Sequence, residues 1–294
     1  MNGKHPHSHP YRRIARSENP EYCEPGSVRP VRIAGIEIGS GATAVIAGPC
    51  AVESLEQMVE IARSAKRAGA HLLRGGAFKP RTSPYDFQGL GREGLEILAE
   101  ARRETGLGVV TEVLDPRDLD LVAELADCIQ IGARSMQNFP LLREVGRSGR
   151  PVLLKRHWAA TLNEWLCAAE YIANEGNLDI LLCERGIRTF TQGDYNRNTL
   201  DLNVVPALRQ RTFLPVVVDP SHSTGYAASV VPAARAAIGV GVDALLVEVT
   251  TERAVRKEIL SDAEQAIRPK DLAEIVQAAV VSSRRRITVA GGFG

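Results

Sequence analysis

The chain predicts one closed (β/α)8 (TIM) barrel with an N-terminal extension and hairpin, on three observations. About eight short β-branched or apolar runs alternate with helical patterns, the signature of repeated βα units around a parallel sheet. The roughly 250 residues that hold them are a typical length for such a barrel. Polar and reactive side chains gather where the runs end, at the face on which this architecture builds its sites.

Taken in order, residues 1–42 read as an arm and hairpin, 43–285 as the barrel and 286–294 as a C-terminal tail. Residues 1–30 are rich in Pro, His, Arg and Ser, a composition that predicts an extended or disordered arm. His5, His7 and His9 alternate there in a way that suits adventitious metal binding. Residues 31–38 alternate around Gly35 and predict a hairpin that closes the bottom of the barrel. The strands are expected at 44–48, 70–74, 108–113, 128–133, 152–155, 180–185, 216–219 and 244–249. Ser54 with Gln57 opens a helix over 55–67 as a capping box, and Gly69 stops it. Pro140 sits just inside the start of a helix over 138–145, where a missing N–H costs least. Thr161 with Glu164 is a second capping box, ahead of 165–173, in which Trp165 and Tyr171 read as packing residues. Pro269 opens the last helix, over 270–281.

Composition narrows the function classes. With 294 residues and a net charge of +1, the chain can bury a large core and has no global field favouring nucleic acid or a membrane surface. No apolar h-region and no run long enough to span a bilayer is present. The five cysteines, Cys23, Cys50, Cys128, Cys167 and Cys183, are odd in number and scattered, which argues against a disulfide framework and for a reducing cytoplasm.

The most informative stretch is 73–85, where Arg74, Lys79 and Arg81 join Thr82 and Ser83 in a loop punctuated by Gly75, Gly76, Pro80 and Pro84. Glycines let backbone approach an anion, prolines stiffen the loop, and Arg and Lys supply a fork and a point charge, so the loop is expected to bind phosphate. Further reactive residues follow the other runs: Cys50, Glu112, Arg134, Lys155 and Arg156, Glu184 and Arg185, Asp219 and His222, and Glu248. Arg74, Lys79, Arg81, Arg134, Lys155 and Arg185 form a cationic set that calls for more than one anionic group, since a barrel interior cannot hold them unpaired without a large desolvation cost. Cys50, His222, Glu248 and Asp262 form a set of S, N and O donors that suits Mn, Fe, Co or Zn and argues against Mg or Ca. Each taken alone has another reading, a core thiol for Cys50 and a turn cap for His222.

Gly48-Pro49-Cys50, the 74–85 loop, Gln130-Ile131-Gly132-Ala133-Arg134, Leu153-Leu154-Lys155-Arg156, Cys183-Glu184-Arg185-Gly186, Arg197-Asn198-Thr199-Leu200-Asp201, Asp219-Pro220-Ser221-His222 and Val247-Glu248-Val249 together carry a resemblance. From about Ala44 to Asp262 the chain resembles the compact 3-deoxy-7-phosphoheptulonate (DAHP) synthases, which are related to the 3-deoxy-octulosonate 8-phosphate synthases. Lys79-Pro80-Arg81-Thr82 resembles the heptulonate group, because the octulosonate enzymes carry a Lys-Ala-Asn-Arg type of sequence there. The resemblance implies a metal-dependent transferase that condenses phosphoenolpyruvate with erythrose 4-phosphate and water and releases phosphate, as the first step of the shikimate pathway. It implies that Arg134, Lys155 and Arg185 bind the phosphoenolpyruvate phosphate and that Arg74 and Lys79 lie nearer its carboxylate and reacting carbons. Arg81 and Thr82 would hold the aldehyde's phosphate. The divalent metal on Cys50, His222, Glu248 and Asp262 would polarise the aldehyde, and Lys79 would donate a proton to the new alkoxide. A homo-oligomer is also expected from the resemblance.

Several rim positions depart from that pattern. His157 and Trp158 follow Lys155-Arg156 where the family has Gly, Thr250-Thr251 replaces His-Pro, and Gly225-Tyr226-Ala227 lacks an Arg-Arg pair. Residues 191–196 hold a small insertion, and Glu248 and Asp262 stand about three residues further apart than usual. Two other readings therefore stand beside the synthase: a paralogue that condenses a different aldehyde, with His157 and Trp158 lining the acceptor pocket, and a non-catalytic partner-binding barrel. The 42 residues before the first strand are too few for a separate sensor domain, so insensitivity to Phe, Tyr and Trp is expected.

Overall fold

A computed structural model describes residues 10–290 of the chain, so His5, His7 and His9 lie outside the described residues. The extension contributes β1 (Val31–Ile33) and β2 (Ile36–Ile38), paired antiparallel with Val31 opposite Ile38. The strands β3 (Ala44–Gly48), β4 (Leu72–Arg74), β5 (Gly108–Glu112), β6 (Cys128–Ile131), β7 (Val152–Lys155), β8 (Ile180–Glu184), β9 (Val216–Val218) and β10 (Ala244–Glu248) form a closed parallel barrel. Closure is made by β10 against β3, with Ala244 opposite Ala44 and Glu248 opposite Gly48. The helices α1 (Leu55–Ala68), α2 (Arg92–Thr105), α3 (Leu119–Leu125), α4 (Phe139–Arg147), α5 (Leu162–Asn174) and α6 (Val204–Arg211) connect successive strands. Both α7 (Pro220–Thr224) and α8 (Ala227–Gly239) lie between β9 and β10, and α9 (Pro269–Ala290) follows the last strand. The predicted tail therefore begins as helix, since α9 runs past residue 285.

Strand periodicity decides where the chemistry sits. Val45, Leu73, Val109, Ile129, Leu154, Leu182, Val218 and Val247 face the helices in one apolar cluster. Ile46, Leu72, Val110, Cys128, Leu153, Cys183, Val217 and Leu246 fill the barrel interior in another, together with Val31, Ile33 and Ile38 of the hairpin. The hairpin thus plugs one end, burying apolar area that an open barrel would expose. Two residues beyond the last interior side chain, on the same face by the period of a strand, come Arg74, Glu112, Gln130, Lys155, Arg185, Asp219 and Glu248 at the other end, with Gly48 in the corresponding place on β3.

Local signals act as their chemistry requires. Thr161 Oγ1 accepts from Glu164 N at 3.3 Å, and the Glu164 carboxylate accepts from Thr161 N at 2.8 Å, a complete capping box. At α1, Ser54 Oγ accepts from Gln57 N at 3.2 Å, but Gln57 Oε1 reaches one residue further back, to Glu53 N at 3.3 Å. Trp165 is fully buried and Tyr171 stacks on Phe139, both as packing residues.

The arm departs from expectation. From residue 10 onward it is pinned to the barrel, with Tyr11, Ile14 and Ala15 buried in the outer core. Glu170 accepts from the backbone N–H groups of Arg12, Arg13 and Ile14 at 2.8, 2.7 and 3.2 Å. The Arg16 guanidinium, 5% exposed, donates to the carbonyls of Glu24, Ser27, Thr212 and Arg209, and to that of Tyr22. Composition misjudged this segment because its cohesion comes from one arginine saturating main-chain oxygens. Among the described residues no helix is long and apolar enough to cross a membrane.

Candidate active site

Four side chains converge on one point of the strand-end face. One ligand atom each from Cys50, His222, Glu248 and Asp262 lies within 4.8 Å of the others. Cys50 Sγ stands 3.1 Å from Asp262 Oδ2, and His222 Nε2 stands 3.2 Å from Glu248 Oε1 and 3.7 Å from Asp262 Oδ2. Glu248 and Asp219 are fully buried, and Cys50 and His222 nearly so. Two carboxylates, a thiol and an imidazole this close together favour positive charge, part of which Arg74, Lys79 and Arg197 supply. The donor set of one sulfur, one nitrogen and two oxygens fits a borderline divalent transition metal.

The imidazole is aimed by a residue the sequence reading left without a role. Asp219 stands 2.7 Å from His222 Nδ1 and also accepts from Lys155 Nζ at 2.7 Å, which leaves Nε2 turned toward Glu248 and Asp262. Its other oxygen caps α7 by accepting from His222 N at 2.9 Å. Asp-Pro-x-His is legible as a helix start whose cap lies one turn from an imidazole, so the signal was present in the sequence. Burial drives His222 down to about 4 against the pull of Asp219 and Glu248, so the ring is neutral near pH 7. Burial, then Glu248, pushes the Cys50 thiol up to about 12, with Lys79 opposing. Asp219→Asn keeps the cap but removes the charge behind the imidazole; metal affinity should fall about 10–100-fold, read by metal titration calorimetry. An unchanged affinity would show that Asp219 does not act through His222.

Glu248 and Asp262 are further braced. Gln265 Nε2 donates to Glu248 Oε2 at 2.5 Å, and Arg197 Nη1 donates to Gln265 Oε1 and to Asp262 Oδ1 at 3.1 Å each. The longer spacing before Asp262 is absorbed by a short helical turn at Arg256–Glu258 and by Glu53, whose carboxylate accepts from Leu260 N at 3.0 Å. Asp262 itself adopts φ 56°, a left-handed conformation rare outside glycine and held here by these contacts. Arg197 belongs to the Arg197–Asp201 motif but was given no role by the sequence, and Gln265 had no sequence-level signal.

The cationic set divides in a way the sequence did not foretell. Lys79, Arg81, Thr82, Arg134, Lys155 and Arg185 line one cleft with His222 and Asp262. Arg74 does not line it: its Nη1 donates to Glu248 Oε1 at 2.6 Å and its Nη2 to Cys50 O at 3.2 Å, with Nε left unpartnered. Arg74, Lys155 and, at 3.4 Å from Asp86, Arg81 thus have carboxylate partners, which corrects the expectation that the whole set is unpaired. Lys79 Nζ donates to Cys50 Sγ at 3.0 Å and Cys50 O at 3.2 Å. Burial alone would favour its neutral form, but Cys50 and Glu112 hold its pKa above the ordinary lysine value. Arg81 reaches from the loop to Ser261 Oγ at 3.0 Å, and Arg134 lies 3.4 Å from Thr82 Oγ1. Arg156 points to the outer face, paired with Glu184 at 3.0 Å and Asp201 at 2.9 Å.

Glu112, expected at a strand end but given no role by the sequence, belongs to the site as well. It lines the cleft, its Oε2 accepts from Gln130 Nε2 at 2.9 Å, and its buried Oε1 has no partner. Gly132 leaves room for it, because a Cβ there would sit 1.9 Å from that oxygen and the Glu112 carboxylate would have to move. Trp158 also lines the cleft, whereas His157 is not among the lining residues and accepts from Ala159 N at 3.2 Å through its Nδ1.

The chain is similar to known proteins in both sequence and fold. The chain is 48% identical over 268 residues to a phospho-2-dehydro-3-deoxyheptonate aldolase of Thermotoga maritima, covering 91% of this chain and 76% of that one. It is 34% identical over 229 residues to a 2-dehydro-3-deoxyphosphooctonate aldolase of Syntrophotalea carbinolica, covering 72% and 81%. The crystal structure of the Thermotoga maritima DAHP synthase superposes with a TM-score of 0.85 at 46% identity, over 96% of this chain and 78% of that chain. A truncated form of that organism's 3-deoxy-D-arabino-heptulosonate 7-phosphate synthase gives 0.80 at 42% identity, over 94% and 96%. The model of the DAHP synthetase I family matches residues 18–285, and the chain belongs to that family.

Proposed function

We propose that this protein condenses phosphoenolpyruvate with erythrose 4-phosphate and water, giving 3-deoxy-7-phosphoheptulonate and inorganic phosphate, the entry reaction of the shikimate pathway. One observation carries the reading: a donor cluster of one sulfur, one nitrogen and two oxygens opens, through His222 and Asp262, into a cleft lined by Lys79, Arg134 and Arg185, which among the described residues have no carboxylate partner. A divalent ion, Mn, Fe, Co or Zn, held by Cys50, His222, Glu248 and Asp262 supplies Lewis acidity toward an aldehyde oxygen. Arg134, Lys155 and Arg185 hold the phosphate of phosphoenolpyruvate, and Arg74 acts from behind the donor cluster, where it pairs with Glu248. Arg81 and Thr82, on the outer loop, hold the aldehyde's phosphate at a distance from the reacting carbons. Lys79, kept charged by its neighbours, gives its proton to the oxygen that becomes an alkoxide as the carbon–carbon bond forms. The unpartnered Oε1 of Glu112 accepts from the water that adds to the phosphate-bearing carbon.

The test is consumption of phosphoenolpyruvate and release of phosphate with erythrose 4-phosphate, before and after chelation and metal restoration. A second reading, condensation with a different aldehyde, is favoured by Trp158 narrowing the cleft and by the octulosonate relatives. Assaying a panel of aldehyde phosphates separates the two by kcat/KM. Arg81→Ala should raise KM for the sugar phosphate about tenfold or more with little change for phosphoenolpyruvate, since a charged fork to a remote phosphate contributes mainly binding. A rise confined to phosphoenolpyruvate would mean the two phosphate sites are interchanged.

A further inference from the structure

Trp158 stands at the centre of a cluster of like charges. The guanidinium carbons of Arg188, Arg134 and Arg185 lie 4.9, 5.4 and 6.0 Å from its ring centroid. Among the described residues none of these three arginines pairs with a carboxylate, whereas the neighbouring Lys155 and Arg156 do. Charges gathered this way repel, and each is attracted instead to the electron-rich face or margin of one indole. Stacking a flat guanidinium against a flat ring also fixes the plane of its fork, and with it the direction in which it meets phosphate oxygens. Arg188 is held by its backbone too, since its N–H donates to Trp158 O at 2.9 Å. The His157 ring packs against the indole at 4.2 Å between centroids, so the platform is braced by the residue before it.

We infer that Trp158 is a positioning residue for the phosphate clamp: its indole pre-orders Arg134 and Arg185 and brings Arg188, a cation with no other assigned role, to the same end of the cleft. This rests on the reading of that end as the site of the phosphoenolpyruvate phosphate. A residue that merely filled the space above β7 would contribute to stability and to the shape of the acceptor pocket but not to phosphate affinity.

The chain has two tryptophans, and the other, Trp165, is sealed in the core with its Nε1 donating to Leu154 O at 3.3 Å. Trp158 emission is therefore a direct report on the clamp. In the full chain, titration with inorganic phosphate and with phosphoenolpyruvate should change that emission, saturating at the concentrations at which calorimetry detects binding. Trp158→Phe should lose the signal yet keep most of the affinity, because a smaller π face remains. Trp158→Leu should weaken phosphoenolpyruvate binding about tenfold, the scale of removing cation–π contacts in a partly desolvated site, with kcat altered far less and the melting temperature preserved. Equal phosphoenolpyruvate affinity in the Leu variant, or no emission change at calorimetric saturation, would overturn the proposal. Phosphate binding reported by Trp158 in a protein that turns over no aldehyde phosphate would leave the proposal standing and sink the proposed reaction instead.

Discussion

Cys50→Ala will lose its bound divalent metal and about a thousandfold or more of its turnover, because the Lewis-acid contribution of such an ion is several kcal/mol and each 1.36 kcal/mol is a decade in rate. The thiol has little structural work to do. It sits just past β3, 5% exposed, and its sulfur has polar partners in Asp262 and Lys79 of the cleft and in Ser261. Removing Sγ leaves an imidazole and two carboxylates, a poorer set for a soft or borderline ion. It also leaves Lys79 its contact with the Cys50 carbonyl at 3.2 Å, so the lysine keeps its place. Circular dichroism and melting should therefore match the parent, while metal analysis of the purified variant falls. Full turnover with a normal metal content would remove Cys50 from the ligand set. Chelation of the parent should reproduce the loss, and restoring Mn, Fe, Co or Zn one at a time should rank the metals.

The barrel was legible because each strand writes its own register. Apolar side chains alternate between helix face and interior, and the interior series ends in a polar residue two positions on, as in Leu72 then Arg74, Leu153 then Lys155, Val217 then Asp219, and Leu246 then Glu248. That arithmetic puts the polar series at one end of the barrel. Pairing between strands is a different matter. That Arg74 would be claimed by Glu248, Lys155 by Asp219, and Glu112 left with an open oxygen depends on side chains brought across the barrel from distant parts of the chain, and nothing local encodes it. The arm failed for a related reason: Arg16 and Glu170 hold it through main-chain groups, which composition does not count. The convergence of Asp262 despite its longer connection depended on Glu53, three residues after Cys50 in sequence but able to accept from Leu260 only once the barrel has closed.

Lys79→Met should retain metal and phosphoenolpyruvate binding while kcat falls about 10²–10⁴-fold, the range for losing a positioned general acid. The lysine is 7% exposed and its ammonium lies 3.0 Å from Cys50 Sγ, so it stands beside the oxygen that a substrate aldehyde would present to the donor cluster. Burial works against its charge, and Cys50 and Glu112 overcome burial, so it enters the reaction protonated. Methionine keeps most of the stem's volume against Gly76, where a Cβ would already meet the lysine's Cδ at 2.7 Å, and so removes the charge without opening a cavity. The alternative is that Lys79 serves only to neutralise the thiolate in the ligand set. The two roles separate in one pair of measurements. If Lys79 is the acid, metal affinity is nearly unchanged and single-turnover carbon–carbon bond formation slows; if it only balances charge, metal affinity shifts and, at saturating metal, the rate returns to within a few-fold of the parent.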